Sequence, residues 1–206
     1  MGRFSQAISE GDGISVIPVL EQGDIGALAA AADAAGAEAI AVRSVTDVTE
    51  ARSRTDLPII VLELVRDSGG LHAAREGGAD ACILVWEELA GEKEWLEELH
   101  AEALELGLDC ALDVHDEDEL EAALDRVDPE ILIISERDPE KDEEELDRTF
   151  ELLPDVPAGK LVVSDGRVRE REQVLALERA GVDAVLLGAM LPAQEFGEVL
   201  AELTGR

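Results

Sequence analysis

Short apolar runs alternate with amphipathic segments along the whole chain. Leu161–Ser164 and Ala184–Leu187 are apolar stretches of the length expected of strands covered on both faces. Between them Val168, Val174, Leu175 and Leu177 fall at roughly helical spacing, and Gly181 follows Ala180 where a helix-ending glycine belongs. Two parallel strands joined by one helix make a right-handed βαβ unit. The same alternation predicts strands at Ile14–Leu20, Ala39–Val42, Pro58–Leu62, Ala81–Val85, Leu108–Val114 and Ile131–Ile134. Helices are predicted from the N-cap Asp24 to Ala35 and over Asp47–Arg54, Leu71–Glu76, Gly91–Leu106, Glu117–Val127, Lys141–Leu153 and Gln194–Leu203. In Gly91–Leu106 the inner side is expected to hold Trp95, Leu96, Leu99, Ala103, Leu104 and Leu106.

One joint recurs: Ala-Gly-Ala-Glu-Ala at 35–39, Gly-Gly-Ala-Asp-Ala at 77–81 and Ala-Gly-Val-Asp-Ala at 180–184. Each combines a glycine helix stop, a small residue, an acid and a strand start. Eight strand–helix units argue for an α/β fold of the closed (βα)8 TIM-barrel type, compact and with short loops; an open doubly wound sheet is the alternative. No linker or low-complexity segment divides the chain, so residues 1–206 read as one barrel domain.

The formal net charge of -32, from 49 acidic and 17 basic residues, changes the picture of partners. It repels nucleic acid and anionic membrane surfaces, so neither is an expected partner. It also fits a protein adapted to high salt. Cys82 and Cys110 lie inside apolar runs and read as small core residues in a reducing compartment. Met1–Gln6 lacks the apolar core of a signal peptide, and a cytoplasmic protein, monomer or homodimer, is expected. The Ala-rich face of 27–35 would serve either helix packing or a dimer surface.

In such barrels chemistry sits at the C-terminal ends of the strands. Those ends present Glu21, Arg43, Glu63, Glu87 with Glu88, Asp113 with His115, Ser135-Glu136-Arg137-Asp138, Asp165-Gly166-Arg167 and Gly188-Ala189. Most of the first seven carry a carboxylate and none a lysine, which is unusual for a phosphate site. Glu21, Glu63, Asp113, Glu136 and Asp165 would form a hard-cation site if they converged, since Mg²⁺ and Mn²⁺ prefer carboxylate oxygens. The simpler reading is that these acids face water, with no metal and no cofactor. His72 and His100 lie within helices and read as residues without a role, whereas His115 stands beside Asp113 at a strand end.

Leu161–Leu191 resembles the end of indole-3-glycerol phosphate synthase, a (βα)8 enzyme of tryptophan biosynthesis. Ile14-Ser15-Val16-Ile17, Gly78-Ala79-Asp80-Ala81, Asp113-Val114-His115 and Ile134-Ser135-Glu136-Arg137-Asp138 add matches in order, so the similarity runs from about Phe4 to Leu191. The family's N-terminal extra helix, which helps enclose the substrate, is expected to be missing. The resemblance places Glu-x-Lys of the family on Val19-Leu20-Glu21, and its Lys-Asp-Phe on Leu62-Glu63-Leu64. Its Glu-Val-His becomes Asp113-Val114-His115, its strand-six Asn becomes Ser135, and its Ser-Glu-Ser-Gly becomes Ser164-Asp165-Gly166-Arg167. Arg137 keeps the position that contacts the substrate carboxylate in the family, and Gly188, followed by Ala189, keeps the phosphate-binding turn.

The family reaction closes a ring on a carboxyphenylamino deoxyribulose phosphate with loss of carbon dioxide and water, and needs a protonated lysine as general acid. Three readings follow. The chain is a divergent barrel without the lyase activity, binding a small phosphorylated molecule through Ser135, Arg137, Gly166, Gly188 and Ala189. Or the activity persists in altered form, with Asp113 and Asp165 as shortened acid/base groups. Or the carboxylate rim serves a divalent-metal enzyme.

Overall fold

The computed structural model of the chain describes residues 1–11, 13–63, 65–86, 93–135, 146–166, 168–188 and 195–204. Eight described strands close a parallel barrel in sequence order. They are β1 (Ser15–Leu20), β2 (Ile40–Val42), β3 (Ile59–Val61), β4 (Ala81–Val85), β5 (Asp109–Val114), β6 (Ile131–Ser135), β7 (Leu161–Asp165) and β8 (Ala184–Leu187). The barrel shuts where β1 pairs with β8, Ser15 opposite Ala184 and Pro18 opposite Leu187. All predicted strands are present with ends shifted by one residue at most, and the open sheet is excluded.

The helices are α1 (Arg3–Ser9), α2 (Ile25–Ala34), α3 (Val45–Arg52), α4 (Ser68–Gly77), α5 (Lys93–Glu105), α6 (Glu117–Leu124), α7 (Asp147–Leu152), α8 (Arg171–Ala180) and α9 (Phe196–Thr204). The expected helix starts at Gly91, Lys141 and Gln194 lie outside the described residues. Two helices begin earlier than hydrophobic periodicity predicts, because each has a cap upstream of its first apolar residue. Ser44 caps α3 by accepting from the Asp47 amide at 3.3 Å, and Asp67 caps α4 by accepting from Gly70 at 2.9 Å. On α5 the buried stripe is Leu96, Leu99, His100 and Ala103. Leu104, expected inside, is 53% exposed, because at 100° per residue it stands about 80° round from Leu96. On α2, Leu28, Ala29 and Ala32 are buried and the helix packs on α3 and α9, so that stripe serves the barrel's own packing.

The recurring joint has a physical explanation. Gly36, Gly78 and Gly181 take φ of 80°, 97° and 101°, the left-handed turn that ends a helix. The acid two residues later reaches back to the start of the preceding strand. Glu38 accepts from the Ser15 hydroxyl, Asp80 from the Ile59 amide at 2.9 Å and Asp183 from the Val162 amide at 2.8 Å. These carboxylates tie neighbouring strands together at the N-terminal end of the barrel, and two of them give the Ile59 and Val162 amides an acceptor.

Two apolar layers hold the barrel. The outer one lies between strands and helices and contains Cys82 and Cys110, buried free thiols in register on β4 and β5, as expected of core residues. The inner one fills the lumen with Ile17, Val19, Ala41, Ile60, Ile83, Ala111, Ile133, Val163 and Leu186. Phe4 and Ile8 of α1 belong to it as well. This helix, absent from the sequence-based expectation, plugs the N-terminal mouth. Asp109, the first residue of β5, accepts from the amides of Gly2, Phe4 and Ser5 at 2.8–2.9 Å and from the Ser5 hydroxyl at 3.2 Å. A Cβ on Gly2 would sit 2.3 Å from that carboxylate, so the approach requires glycine. α1 is therefore at the opposite end from the rim where a substrate would be enclosed.

His100 is buried near Asp128 and Lys160. Burial lowers its pKa, Asp128 opposes and Lys160 adds to the lowering. The unfolded chain therefore takes up this proton first as pH falls through about 6.5 while the folded chain resists it. Stability contributed by neutral His100 is present above that pH and is lost below it, at up to about 1.4 kcal/mol per pH unit. Thermal melts at pH 7.5 and 5.5 should show a smaller acid-side loss in His100→Leu than in the parent chain.

Candidate functional site

Strand alternation decides which side chains reach the C-terminal mouth. The lumen series is Ile17 and Val19 on β1, Ala39 just before β2 and Ala41 on it, Ile60 on β3, Ile83 and Val85 on β4, Ala111 on β5, Ile133 on β6, Val163 on β7 and Leu186 on β8. A period of two carries each line on to Glu21, Arg43, Leu62, Asp113, Ser135, Asp165 and Gly188. Polarity thus begins one layer above an aliphatic floor.

Asp113 and Ser135 meet. The Ser135 hydroxyl donates to Asp113 Oδ1 at 2.5 Å, both side chains are buried, and Ser135 pairs with Asp165 in the β6–β7 register. Arg148 of α7 donates to the Ser135 carbonyl at 3.3 Å, and Thr149 Oγ1 lies 2.9 Å from Ser164 Oγ. Sequence reasoning does not single out these two helix residues; an arginine inside a strongly acidic stretch was the available signal. His115 is clamped by Glu119, whose Oε2 accepts from its amide at 2.7 Å and lies 3.2 Å from Nδ1; its Nε2 is 4.0 Å from Asp113 Oδ2. The buried Gly166 accepts from the Val168 amide at 2.9 Å. Gly188 is exposed, and a Cβ placed on it would meet nothing within 4 Å.

Across the mouth Arg43 Nε donates to Glu21 Oε1 at 2.6 Å, and Nη2 lies at 2.6 Å from the same oxygen. Leu62, half-buried, packs on the lumen layer. Glu63 is one residue out of step with the lumen line and is exposed; its carboxylate accepts from the Val45 amide at 2.8 Å, at the start of α3. Of the expected cation rim of Glu21, Glu63, Asp113, Glu136 and Asp165, Glu63 thus stands off the lumen line that carries Glu21, Asp113 and Asp165. Among the described residues no three acidic, histidine or cysteine side chains converge on a point that would hold a metal. Glu136, Arg137, Arg167, Ala189, Glu87 and Glu88 lie outside the described residues. No described helix is long and apolar enough to cross a membrane.

What the described arrangement offers is a buried carboxylate with a hydroxyl donor on β5–β6 and a guanidinium–carboxylate pair on β1–β2. At the two positions where the resemblance implies lysines stand Leu62 and Glu21, and neither carries an ammonium proton.

The family model for indole-3-glycerol phosphate synthase matches residues 16–203. An indole-3-glycerol phosphate synthase of Geobacillus sp. (strain WCH70) is 33% identical over 175 residues, covering 80% of this chain and 66% of that protein. Another, of Variovorax paradoxus (strain S110), is 35% identical over 155 residues, covering 75% and 57%. The chain thus spans less than two thirds of the length of these curated relatives. Among solved structures, a mutant tryptophan synthase α-subunit from Pyrococcus furiosus superimposes with a TM-score of 0.74 at 17% identity, each chain fully covered. An N-acetylmannosamine-6-phosphate 2-epimerase from Clostridium perfringens does so with 0.67 at 18%, covering 93% and 92%. At such identities the likeness is one of fold.

Proposed function

The chain belongs to the indole-3-glycerol phosphate synthase family, and on that premise we propose that it is a divergent member whose mouth binds a small phosphorylated molecule without catalysing the family's ring closure. The observation that supports this is the pair of side chains at the family's lysine positions. Leu62 packs on the aliphatic lumen, and Glu21 is tied to Arg43. Ring closure with loss of carbon dioxide and water needs a proton delivered to the departing oxygen. A leucine has none, and a glutamate repels the substrate carboxylate where the family's second lysine attracts it. Losing one general acid typically costs about 10²–10⁴ in rate, and here two cationic groups are exchanged together.

Binding outlasts this change in the proposed reading. The backbone at Gly188 is exposed and open to a phosphate, and Arg137 keeps the family's carboxylate-binding position in sequence. The test is to incubate the pure protein at fixed KCl with the carboxyphenylamino deoxyribulose phosphate and follow indole-glycerol phosphate by fluorescence. No product above the protein-free control is expected; steady turnover overturns the reading. Calorimetric titration with the reduced, non-cyclising analogue should give a binding isotherm, and a flat trace removes the ligand half of the proposal.

A second reading, altered but retained activity, draws on the resemblance, which aligns Asp113 with the family's glutamate, and is supported by the 2.5 Å Ser135–Asp113 contact that fixes this carboxylate. Growth of a synthase-deficient strain carrying this gene, abolished by Asp113→Ala, would favour it over the first.

A further inference from the structure

Arg43 lies outside the motifs that carry the family resemblance, yet it stands on the lumen line directly above Ala39 and Ala41. Its side chain is 35% exposed, and that of Glu21 is 27% exposed. Ion pairs of that exposure contribute little to stability, and an aliphatic side chain would extend the lumen packing at least as well. Stability therefore does not account for an arginine at this place. The pairing geometry also leaves it capacity. Nε and Nη2 both converge on Glu21 Oε1, and among the described residues Nη1 has no partner. Among the described residues no hydrogen bond or ion pair joins Arg43 to Glu63, whose carboxylate accepts from the Val45 amide.

We propose that Arg43 is an oxyanion-binding residue of the mouth, held in place by Glu21 and presenting its Nη1 side to a carboxylate or phosphate group of the ligand. The proposal rests on the reading of the mouth as a binding site, and adds which corner is cationic. Where the resemblance implies a lysine on β1, the sequence has Glu21; the positive group has moved to the neighbouring strand. Guanidinium groups take such anions through two parallel N–H donors, which an ammonium cannot copy. The β1–β2 corner lies two strands from Gly188, or about 10 Å along the rim. A ligand with a phosphate at the Gly188 turn would therefore reach Arg43 with a second acidic group.

The experiment is calorimetric titration of the full chain at constant KCl with inorganic phosphate and, separately, benzoate. Arg43→Gln should weaken the probe that uses this corner by about ten- to a hundredfold, the range of one charge-assisted contact; Arg43→Lys should recover only part. Glu21→Gln, which removes the competing carboxylate, should tighten it. Weakening confined to benzoate assigns the corner to carboxylates, and weakening confined to phosphate assigns it to phosphates. If both probes bind Arg43→Gln as they bind the parent, the Arg43 proposal is overturned while binding elsewhere in the mouth stands. If neither probe binds the folded parent chain, the proposal falls; the flat or positive isotherm with the reduced analogue decides the binding reading separately.

Discussion

Replacing Asp109 with Ala is expected to destabilise the barrel by about 3 kcal/mol or more, lowering the melting temperature by roughly 6–12 °C for a chain of this size. The carboxylate carries three backbone amides and one hydroxyl of the α1 turn, and Phe4 and Ser5 are fully buried. Alanine leaves the three amides without that acceptor, at about 1–3 kcal/mol for each buried group, while the Ser5 hydroxyl keeps the Gly2 carbonyl at 3.3 Å. Asp109→Asn should cost less, because one carbonyl oxygen can still accept. Phe4→Ala should cost about 3–5 kcal/mol by opening a cavity at the foot of the lumen. The two substitutions should be less than additive, since each releases the same plug. Urea unfolding of the single and double variants checks this; additive losses would mean that α1 holds on without its carboxylate anchor. Ligand binding at the opposite mouth should be unchanged wherever the variants remain folded.

That plug also marks a limit of sequence reading. The barrel was legible because three αβ joints repeat a glycine, a small residue and an acid, and because both-face-buried strands are short and largely apolar. α1 was not, since seven residues hold too few periods to register. Its traces were present: Phe4 and Ile8 stand one helical turn apart, and Asp109 is an acid opening an apolar strand. At the rim, the described strand-end residues belong to two different faces. Glu63 and Leu62 are neighbours in sequence, yet only Leu62 follows the lumen parity, and one step of register separates a site residue from a helix cap. The Glu21–Arg43 pair was unreadable for a different reason. It depends on β1 and β2 being adjacent in register, Leu20 opposite Val42, which composition does not encode.

Stability should rise steeply with salt. The net charge of -32 is spread over 10043 Å² of accessible surface, or one net negative charge for roughly every 300 Å², and such an excess works against the compact state. At 0.1 M salt the screening length is about 10 Å, and at 1 M about 3 Å, so repulsion between neighbouring surface acids survives in the first case and is largely removed in the second. If screening recovers about 3 kcal/mol, the melting temperature moves up by roughly 6–12 °C between 0.1 and 2 M KCl. Sucrose at matched osmolarity separates this from general exclusion effects, because it strengthens burial without screening charge. Converting the exposed Glu98, Glu105, Glu121 and Glu151 to Lys brings the net charge from -32 to about -24. The variant should melt higher than the parent in low salt and gain less from KCl. A parent chain whose melting temperature ignores KCl would mean that the acids are spaced and hydrated well enough for their repulsion to cost little, and that the acidity is compositional and not a requirement for folding in salt.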